Sequence, residues 1–149
     1  MGLSIWTQRP LSGKTAIPEV VIDASVLVEY LVPGTRFRAC AEVLDGPSVE
    51  ILVPDLAYVE VANAFRKMAL RELIAFHEVA EMVDDLLNIE TAVVSSRTLL
   101  PDVVDHLGSL TAYDACYLAL AQAADCQLAT LDKALGIKAR VSGIQTVLA

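Results

Sequence analysis

The sequence predicts an α/β fold with a mostly parallel central sheet and helices on both faces. Short apolar runs alternate with longer helical patterns, an order that is typical of parallel sheets. The most apolar run ends directly in Asp23, and its β-branched residues suit a strand covered on both faces. Hydrophobic residues make up 55% of the 149 residues, which is enough for a folded core. The predicted strands are residues 20–22, 51–53, 91–94, 127–130 and 144–147.

Helical patterns fill the segments between these strands. Ser25 is predicted to cap the first helix and Thr111 the helix over residues 112–124, because both types accept hydrogen bonds at helix starts. Pro101 indicates that its helix begins near that residue. The other predicted helices are residues 26–31, 36–44, a longer one opening at Pro54-Asp55, 73–87, 97–107 and one after Asp132. On the helix over residues 73–87, the predicted apolar face consists of Leu73, Phe76, Ala80, Val83 and Leu87.

One domain is predicted over residues 19–149, preceded by an extended or mobile tail over residues 1–18. The tail contains turn formers and no periodic apolar pattern, and Trp6 is its one residue expected to dock. No signal peptide is predicted, and no apolar run is long enough for a membrane span. Three cysteines without a C-x-x-C pattern suit a reducing cytoplasm and three buried thiols.

Charge and histidine content narrow the possible chemistry. The net charge of −8 argues against a large basic surface for duplex nucleic acid, but bound cations would offset part of it at a nuclease site. The two histidines belong to no H-E-x-x-H motif, so the sequence gives little support for zinc hydrolysis or histidine-led catalysis.

Four acids are predicted to meet at the carboxyl edge of the sheet, where open α/β sheets bind ligands. They follow strands or begin helices there, and they are Asp23, Glu60, Asp114 and Asp132. Four clustered carboxylates repel one another unless a cation lies among them. Oxygen ligands without histidine or cysteine select Mg²⁺ or Mn²⁺, ions that can assist phosphodiester displacement.

Three of these acids also have a purely structural explanation. Asp114 stands where the acid of a capping box belongs, and Asp132 precedes a helix as an N-cap would. Glu60 could be a solvated helix residue. Only Asp23 is hard to explain by structure alone, since it directly ends the most apolar strand.

Together these segments resemble the PIN-domain family, most of all the VapC-type toxin ribonucleases. The matching strings are VVIDASVLVEYL, VPDLAYVEVANAFRK, LTAYDACYLALA and LATLDKAL, in the family's order over residues 20–135. The resemblance implies a PIN-like three-layer sandwich and an Mg²⁺- or Mn²⁺-dependent endoribonuclease acting on single-stranded or looped RNA. It also implies a homodimer and a cognate antitoxin protein that blocks the acidic cleft. The tail is longer than is usual in such toxins.

The same resemblance assigns roles to individual residues. It implies that Asp23, Glu60, Asp114 and Asp132 are metal ligands in the catalytic site, and it makes Ser25 and Thr130 polar neighbours of the metal or phosphate. Water is expected to attack the phosphorus, leaving 5′-phosphate and 3′-hydroxyl ends. The alternative is a non-catalytic PIN module that acts by binding a partner. Candidate RNA-binding cations, each of which a solvated helix face explains more simply, are Arg36, Arg38, Arg66, Lys67 and Arg71.

Overall fold

A parallel β-sheet forms the centre of the protein. The structure is a computed structural model. The structure describes residues 17–46 and 48–149. Within these residues five strands, all parallel, lie in the order β3-β2-β1-β4-β5. They are β1 (Glu19–Ile22), β2 (Glu50–Pro54), β3 (Ala92–Val94), β4 (Gln127–Ala129) and β5 (Thr146–Val147). The predicted parallel sheet is confirmed.

Seven α-helices accompany the sheet in the described part of the chain. Helices α1–α4 contact one another, and α5 contacts α6, so the helices form two groups. Two groups are expected when right-handed crossovers run first toward one edge of the sheet and then toward the other, because the helices then cover both faces. The predicted α/β fold with helices on both faces is therefore confirmed. The helices are α1 (Ala24–Leu31), α2 (Phe37–Leu44), α3 (Leu56–Leu70), α4 (Val79–Asn88), α5 (Ser96–Val103), α6 (Ala112–Ala124) and α7 (Lys133–Val141).

The strand order reverses at β1, which lies between β2 and β4. Val21 of β1 pairs with Leu52 on one side and Leu128 on the other, and the side chain of Val21 is fully buried. The backbone N–H of Asp23 donates to the carbonyl of Ala129 at 3.0 Å, so the pairing continues past the end of β1. A reversal of this kind opens a crevice at the carboxyl ends of the strands, and Asp23 stands there.

The prediction for residues 73–87 is wrong at the start of the helix and in its apolar face. A 3₁₀ turn covers Phe76–Glu78, and α4 begins only at Val79, after Glu78 accepts a hydrogen bond from the Ala75 N–H at 2.7 Å. Leu73 and Leu87 are exposed, whereas Leu86 is buried. The apolar stripe that faces the core has helical spacing and consists of Val79, Met82, Val83 and Leu86.

Two predicted helix starts are also wrong. The first helix begins at Ala24 with Asp23 as its N-cap residue, so Ser25 lies inside α1 and does not cap it. Pro101 lies inside α5, which begins at Ser96. The start of α5 is fixed by Asp55, whose Oδ1 accepts the Ser96 N–H at 3.0 Å, a contact that spans 41 residues.

Residues 1–16, and with them Trp6, lie outside the described residues, so the predicted tail over residues 1–18 stays a prediction. Pro18 does have a described contact, because its carbonyl accepts the Glu50 N–H at 2.8 Å. Among the described helices, none is long and apolar enough to cross a membrane. The three cysteines are free thiols; Cys40 and Cys116 are buried as predicted, but Cys126 is partly exposed.

Candidate active site

Asp23 is the most enclosed of the four predicted acids, with 6% of its surface exposed. Its Oδ2 accepts hydrogen bonds from the Ser25 hydroxyl at 2.6 Å and from the Thr130 hydroxyl at 2.7 Å. Burial raises the pKa of Asp23, the two hydroxyl donors oppose that rise, and the nearby charge of Asp114 adds to it. The ionised form of Asp23 is therefore destabilised by its loss of hydration in the folded protein.

The two hydroxyls also connect Asp23 to the loop between β4 and α7. The Ser25 Oγ accepts the Leu131 N–H at 3.0 Å, and the Thr130 Oγ1 accepts the Asp132 N–H at 2.9 Å. Each hydroxyl thus donates to Asp23 and accepts from the loop. The position of the Asp23 carboxylate depends on the same contacts that shape the backbone leading to Asp132.

Glu60 lies on the second turn of α3 and is partly buried. Its Oε1 accepts a hydrogen bond from the Tyr117 hydroxyl at 2.7 Å. Burial raises the pKa of Glu60, and the charges of Asp23 and Asp114 raise it further, whereas the Tyr117 hydrogen bond lowers it. The carboxylates of Asp23, Glu60 and Asp114 are therefore near enough to repel one another.

The sequence did not single out Tyr117 as a residue of the site. Its side chain is fully buried, and its hydroxyl reaches a carboxylate 57 residues away in sequence. Burial, together with Asp23 and Glu60, raises the pKa of Tyr117 far above its ordinary value, so the phenol stays protonated. A tyrosine on the buried face of a helix indicates that its hydroxyl has a partner, but the sequence does not identify that partner.

Asp114 and Asp132 both belong to helix starts. The Thr111 Oγ1 accepts the Asp114 N–H at 3.2 Å and donates to its Oδ2 at 2.9 Å, so Thr111 is the N-cap of α6 as predicted. The Asp132 Oδ1 accepts the N–H groups of Ala134 and Leu135 at 2.8 and 3.0 Å. The structural explanation for Asp132 as an N-cap is therefore correct. These bonds engage one oxygen of each carboxylate.

The structure thus brings Asp23, Glu60 and Asp114 together electrostatically, and it connects Asp132 to Asp23 through the loop backbone. Within residues 17–46 and 48–149, no three side chains of histidine, cysteine, aspartate or glutamate are placed to hold one metal ion. The donor set nevertheless fits a hard divalent cation in its chemistry, because it offers only carboxylate and hydroxyl oxygens.

Two of the five candidate RNA-binding cations, Arg36 and Arg66, have no described contact with the acids. The Arg36 guanidinium donates to the carbonyl of Leu148 at 2.7 Å and thereby connects the start of α2 to the end of the chain. Arg66 is exposed on α3, six residues after Glu60. At 100° per residue it lies about 240° further round the helix from Glu60. Neither arginine extends the acidic site.

A groove of about 1180 Å³ lies away from the four acids, at the amino ends of the strands. Its lining includes Ile17, Ile51 and Ala92, which stand at or beside the first residues of β1, β2 and β3. Tyr30 and Phe37 also line it, with ring centroids 5.9 Å apart. The groove and the acidic edge are therefore separate surfaces on opposite edges of the sheet.

Comparison with known proteins agrees with the resemblance drawn from the motifs. The model of the PIN domain family matches residues 20–141. Ribonuclease VapC3 of Pyrobaculum aerophilum is 35% identical over 126 residues, which cover 80% of this chain and 94% of that protein. The residues that match the family model include all four predicted acids, although the match itself assigns them no role.

Three solved structures share the fold. PAE2754 from Pyrobaculum aerophilum superimposes with a TM-score of 0.62 at 23% identity, over 88% of this chain and 85% of that one. VapBC2 from Rickettsia felis, bound to a DNA fragment from its promoter, gives 0.58 at 12% identity, over 87% and 97%. VapC20 of Mycobacterium tuberculosis, a sarcin-ricin loop cleaving toxin, gives 0.59 at 12% identity, over 87% and 98%.

Proposed function

Because the chain belongs to the PIN domain family, we propose that it is a metal-dependent endoribonuclease, the toxin component of a toxin–antitoxin pair. The observation that carries this proposal is the meeting of Asp23, Glu60 and Asp114 at the point where the strand order reverses. The similarity to a relative named as a ribonuclease supports the reaction class.

We propose that Asp23, Glu60, Asp114 and Asp132 would hold Mg²⁺ or Mn²⁺. The fit rests on the donor chemistry and on the raised pKa values of Asp23 and Glu60, which mark negative charge that the metal-free fold tolerates poorly. A bound divalent cation would stabilise charge on the phosphoryl oxygens and would favour the ionised form of a nucleophilic water.

The chain's own groups serve this reaction by position and by charge. Ser25 and Thr130 fix one oxygen of Asp23, and this leaves the second oxygen to act at the site. A carboxylate of the cluster accepts a proton from the attacking water, whose oxygen forms a new bond to phosphorus. The bond between phosphorus and the 3′ oxygen breaks, and the departing 3′ oxygen takes up a proton. The products carry 5′-phosphate and 3′-hydroxyl ends.

The RNA is proposed to contact hydroxyl groups near the acids and arginines farther from them. Ser25 and Thr130 are proposed neighbours of the metal or phosphate, and Arg36 and Arg66 are proposed RNA contacts away from the acids. With a net charge of −8, we expect weak binding to duplex nucleic acid and dependence on divalent cations.

We also propose an antitoxin protein partner and a homodimer. The solved VapBC2 complex, which shares this fold, supports the antitoxin partner. The homodimer rests on the family resemblance alone.

The competing proposal is a PIN module that binds a partner without cleaving RNA. All four predicted acids are present, which favours the enzyme. Incubating the purified protein with a mixed RNA pool and Mg²⁺, followed by end sequencing, separates the two. Discrete new ends support the nuclease, and an intact pool supports the binding module.

A further inference from the structure

We propose that Tyr117 is a positioning residue of the acidic site, which holds Glu60 in place through the hydrogen bond from its hydroxyl. This inference rests on the proposed function, because it concerns how the same carboxylates are presented. The observation behind it is the 2.7 Å contact between the Tyr117 hydroxyl and the Glu60 Oε1.

The tyrosine is well suited to this role because both its backbone and its ring are held in place by packing. Its ring is fully buried in the core, on α6, and α6 packs against β1, β2 and β4. A tyrosine has only two side-chain torsions, and here the core fixes both. The hydroxyl is therefore a hydrogen-bond donor at a fixed point beside the site.

Glu60 needs such a donor, because nothing else described holds its carboxylate. It is a long side chain on α3 with three torsions, and fixing it costs conformational entropy. It also lies near two other carboxylates, Asp23 and Asp114, whose negative charges repel it. A fixed donor opposes both effects and keeps Glu60 facing the other acids.

Tyr117 stands on the helix that also carries Asp114. Asp114 lies three residues earlier on α6, which places both side chains on one side of that helix. A single helix therefore presents Asp114 and, through the Tyr117 hydroxyl, positions Glu60 of α3.

Tyr117→Phe tests the role because it removes the hydroxyl and keeps the ring. Loss of a residue that positions a metal ligand typically costs about 10- to 100-fold in metal affinity or activity. We therefore expect the Mg²⁺ concentration at half-maximal thermal stabilisation to rise about 10- to 100-fold. We also expect kcat for RNA cleavage to fall with little change in KM, while the melting temperature in EDTA stays close to the parent's.

Two further variants separate positioning from a general effect on the core. Tyr113→Phe removes the other tyrosine hydroxyl of α6, which is on an exposed side chain, and should match the parent in every measurement. In a Glu60→Ala background, which has no carboxylate for the hydroxyl to hold, adding Tyr117→Phe should change the Mg²⁺ midpoint by less than about twofold, because the two changes remove one interaction.

Each contrary result has a distinct meaning. An unchanged Mg²⁺ midpoint and kcat in Tyr117→Phe would overturn the inference, and so would an equal rise in the Mg²⁺ midpoint in the Glu60→Ala background or in Tyr113→Phe. Loss of cooperative melting in Tyr117→Phe would contradict it as well, since the hydroxyl would then serve the core. A parent protein with neither Mg²⁺ stabilisation nor cleavage would overturn the proposed function and this inference with it.

Discussion

Asp23, at the end of β1, accepts a hydrogen bond of 2.7 Å from Thr130, at the end of β4, across 107 residues of sequence. The contact joins the two adjacent strands at which the sheet reverses its order. Because the Thr130 hydroxyl also accepts the Asp132 N–H, the bond connects the most buried acid to the loop that carries another acid. The Thr130 hydroxyl therefore both stabilises the loop after β4 and positions the Asp23 carboxylate of the proposed site.

Asp23→Asn should stabilise the metal-free protein at neutral pH. Burial raises the pKa of Asp23 above its ordinary value of 3.8, so the folded state binds this proton more tightly than the unfolded state. The free energy of unfolding then decreases as pH rises from 3.8 through the folded-state pKa, and the ionised group destabilises the fold above it. Asparagine removes this penalty and still accepts from Ser25 and Thr130.

Urea unfolding in EDTA at several pH values between 4 and 7 measures this effect. The variant should be more stable than the parent at pH 7, and the difference should shrink as pH falls. A parent whose stability advantage over Asp23→Asn grows toward pH 7 would contradict the assignment of a raised pKa.

Asp114→Asn should show whether Asp114 binds the metal or only stabilises the start of α6. Asparagine still accepts from the Thr111 hydroxyl, so the start of α6 should be preserved. Removing one charge from the cluster should leave the metal-free protein as stable as the parent or more so. The variant should gain less melting temperature from Mg²⁺ and should lose RNA cleavage, because the ion binds only the folded site.

The matched control is Asp102→Asn, which removes the same charge from an exposed position on α5. It should keep the parent's Mg²⁺ response and activity. An Asp114→Asn protein that cleaves RNA at the parent's rate would remove Asp114 from the proposed site.

Asp55 is an acid of the same sheet edge that we assign to the scaffold. It accepts the N–H and hydroxyl of Ser96 at the start of α5, and the Ser96 hydroxyl lowers the pKa of Asp55 while some loss of hydration opposes the change. Asp55→Ala should lower the free energy of unfolding by ~0.5–1 kcal/mol, at the low end for a lost cap because the site is exposed.

The stabilisation by Asp55 is present above its unfolded pKa of 3.8 and is lost as pH falls through the lowered folded pKa. The stability difference between Asp55→Ala and the parent should therefore be largest at pH 7 and should shrink as pH falls below 3.8. RNA cleavage by Asp55→Asn, which keeps an acceptor for Ser96, should equal the parent's. Loss of cleavage in that variant would place Asp55 in the site.

Deleting residues 1–16 should leave the melting temperature close to that of the full chain, because no periodic apolar pattern ties the segment to the core. Deleting residues 1–18 should cost more, since it removes the Pro18 carbonyl that accepts the Glu50 N–H. A loss of roughly 1 kcal/mol corresponds to about 2–4 °C in a domain of this size. A drop well beyond that range in the shorter deletion would show that Trp6 or its neighbours pack against the domain.

Local signals in the sequence predicted much of the fold and the position of the acids. The strand that ends in Asp23, the N-caps Thr111 and Asp132 and the parallel sheet follow from patterns within a few residues. Ser25 shows the limit of such signals, because a serine near a helix start usually caps it. Here its hydroxyl contacts Asp23 and the Leu131 N–H instead.

The remaining differences depend on contacts between distant segments. The hydrogen bond from Tyr117 to Glu60 joins two helices 57 residues apart, and no pattern within either helix indicates it. The start of α5 at Ser96 is set by Asp55, and so the prediction from Pro101 is wrong. In α4, two apolar stripes have helical spacing, and only packing against the neighbouring helices selects the one that contains Leu86.

We propose that this chain hydrolyses RNA with the help of a divalent metal ion at its acidic edge. The decisive measurement is the cleavage of a defined RNA pool in Mg²⁺, in Mn²⁺ and in excess EDTA, with analysis of the new ends. We predict cleavage in either metal, 5′-phosphate and 3′-hydroxyl ends, no cleavage in EDTA and none by Asp23→Asn. Undiminished cleavage in EDTA, or cleavage by Asp23→Asn at the parent's rate, would contradict the claim.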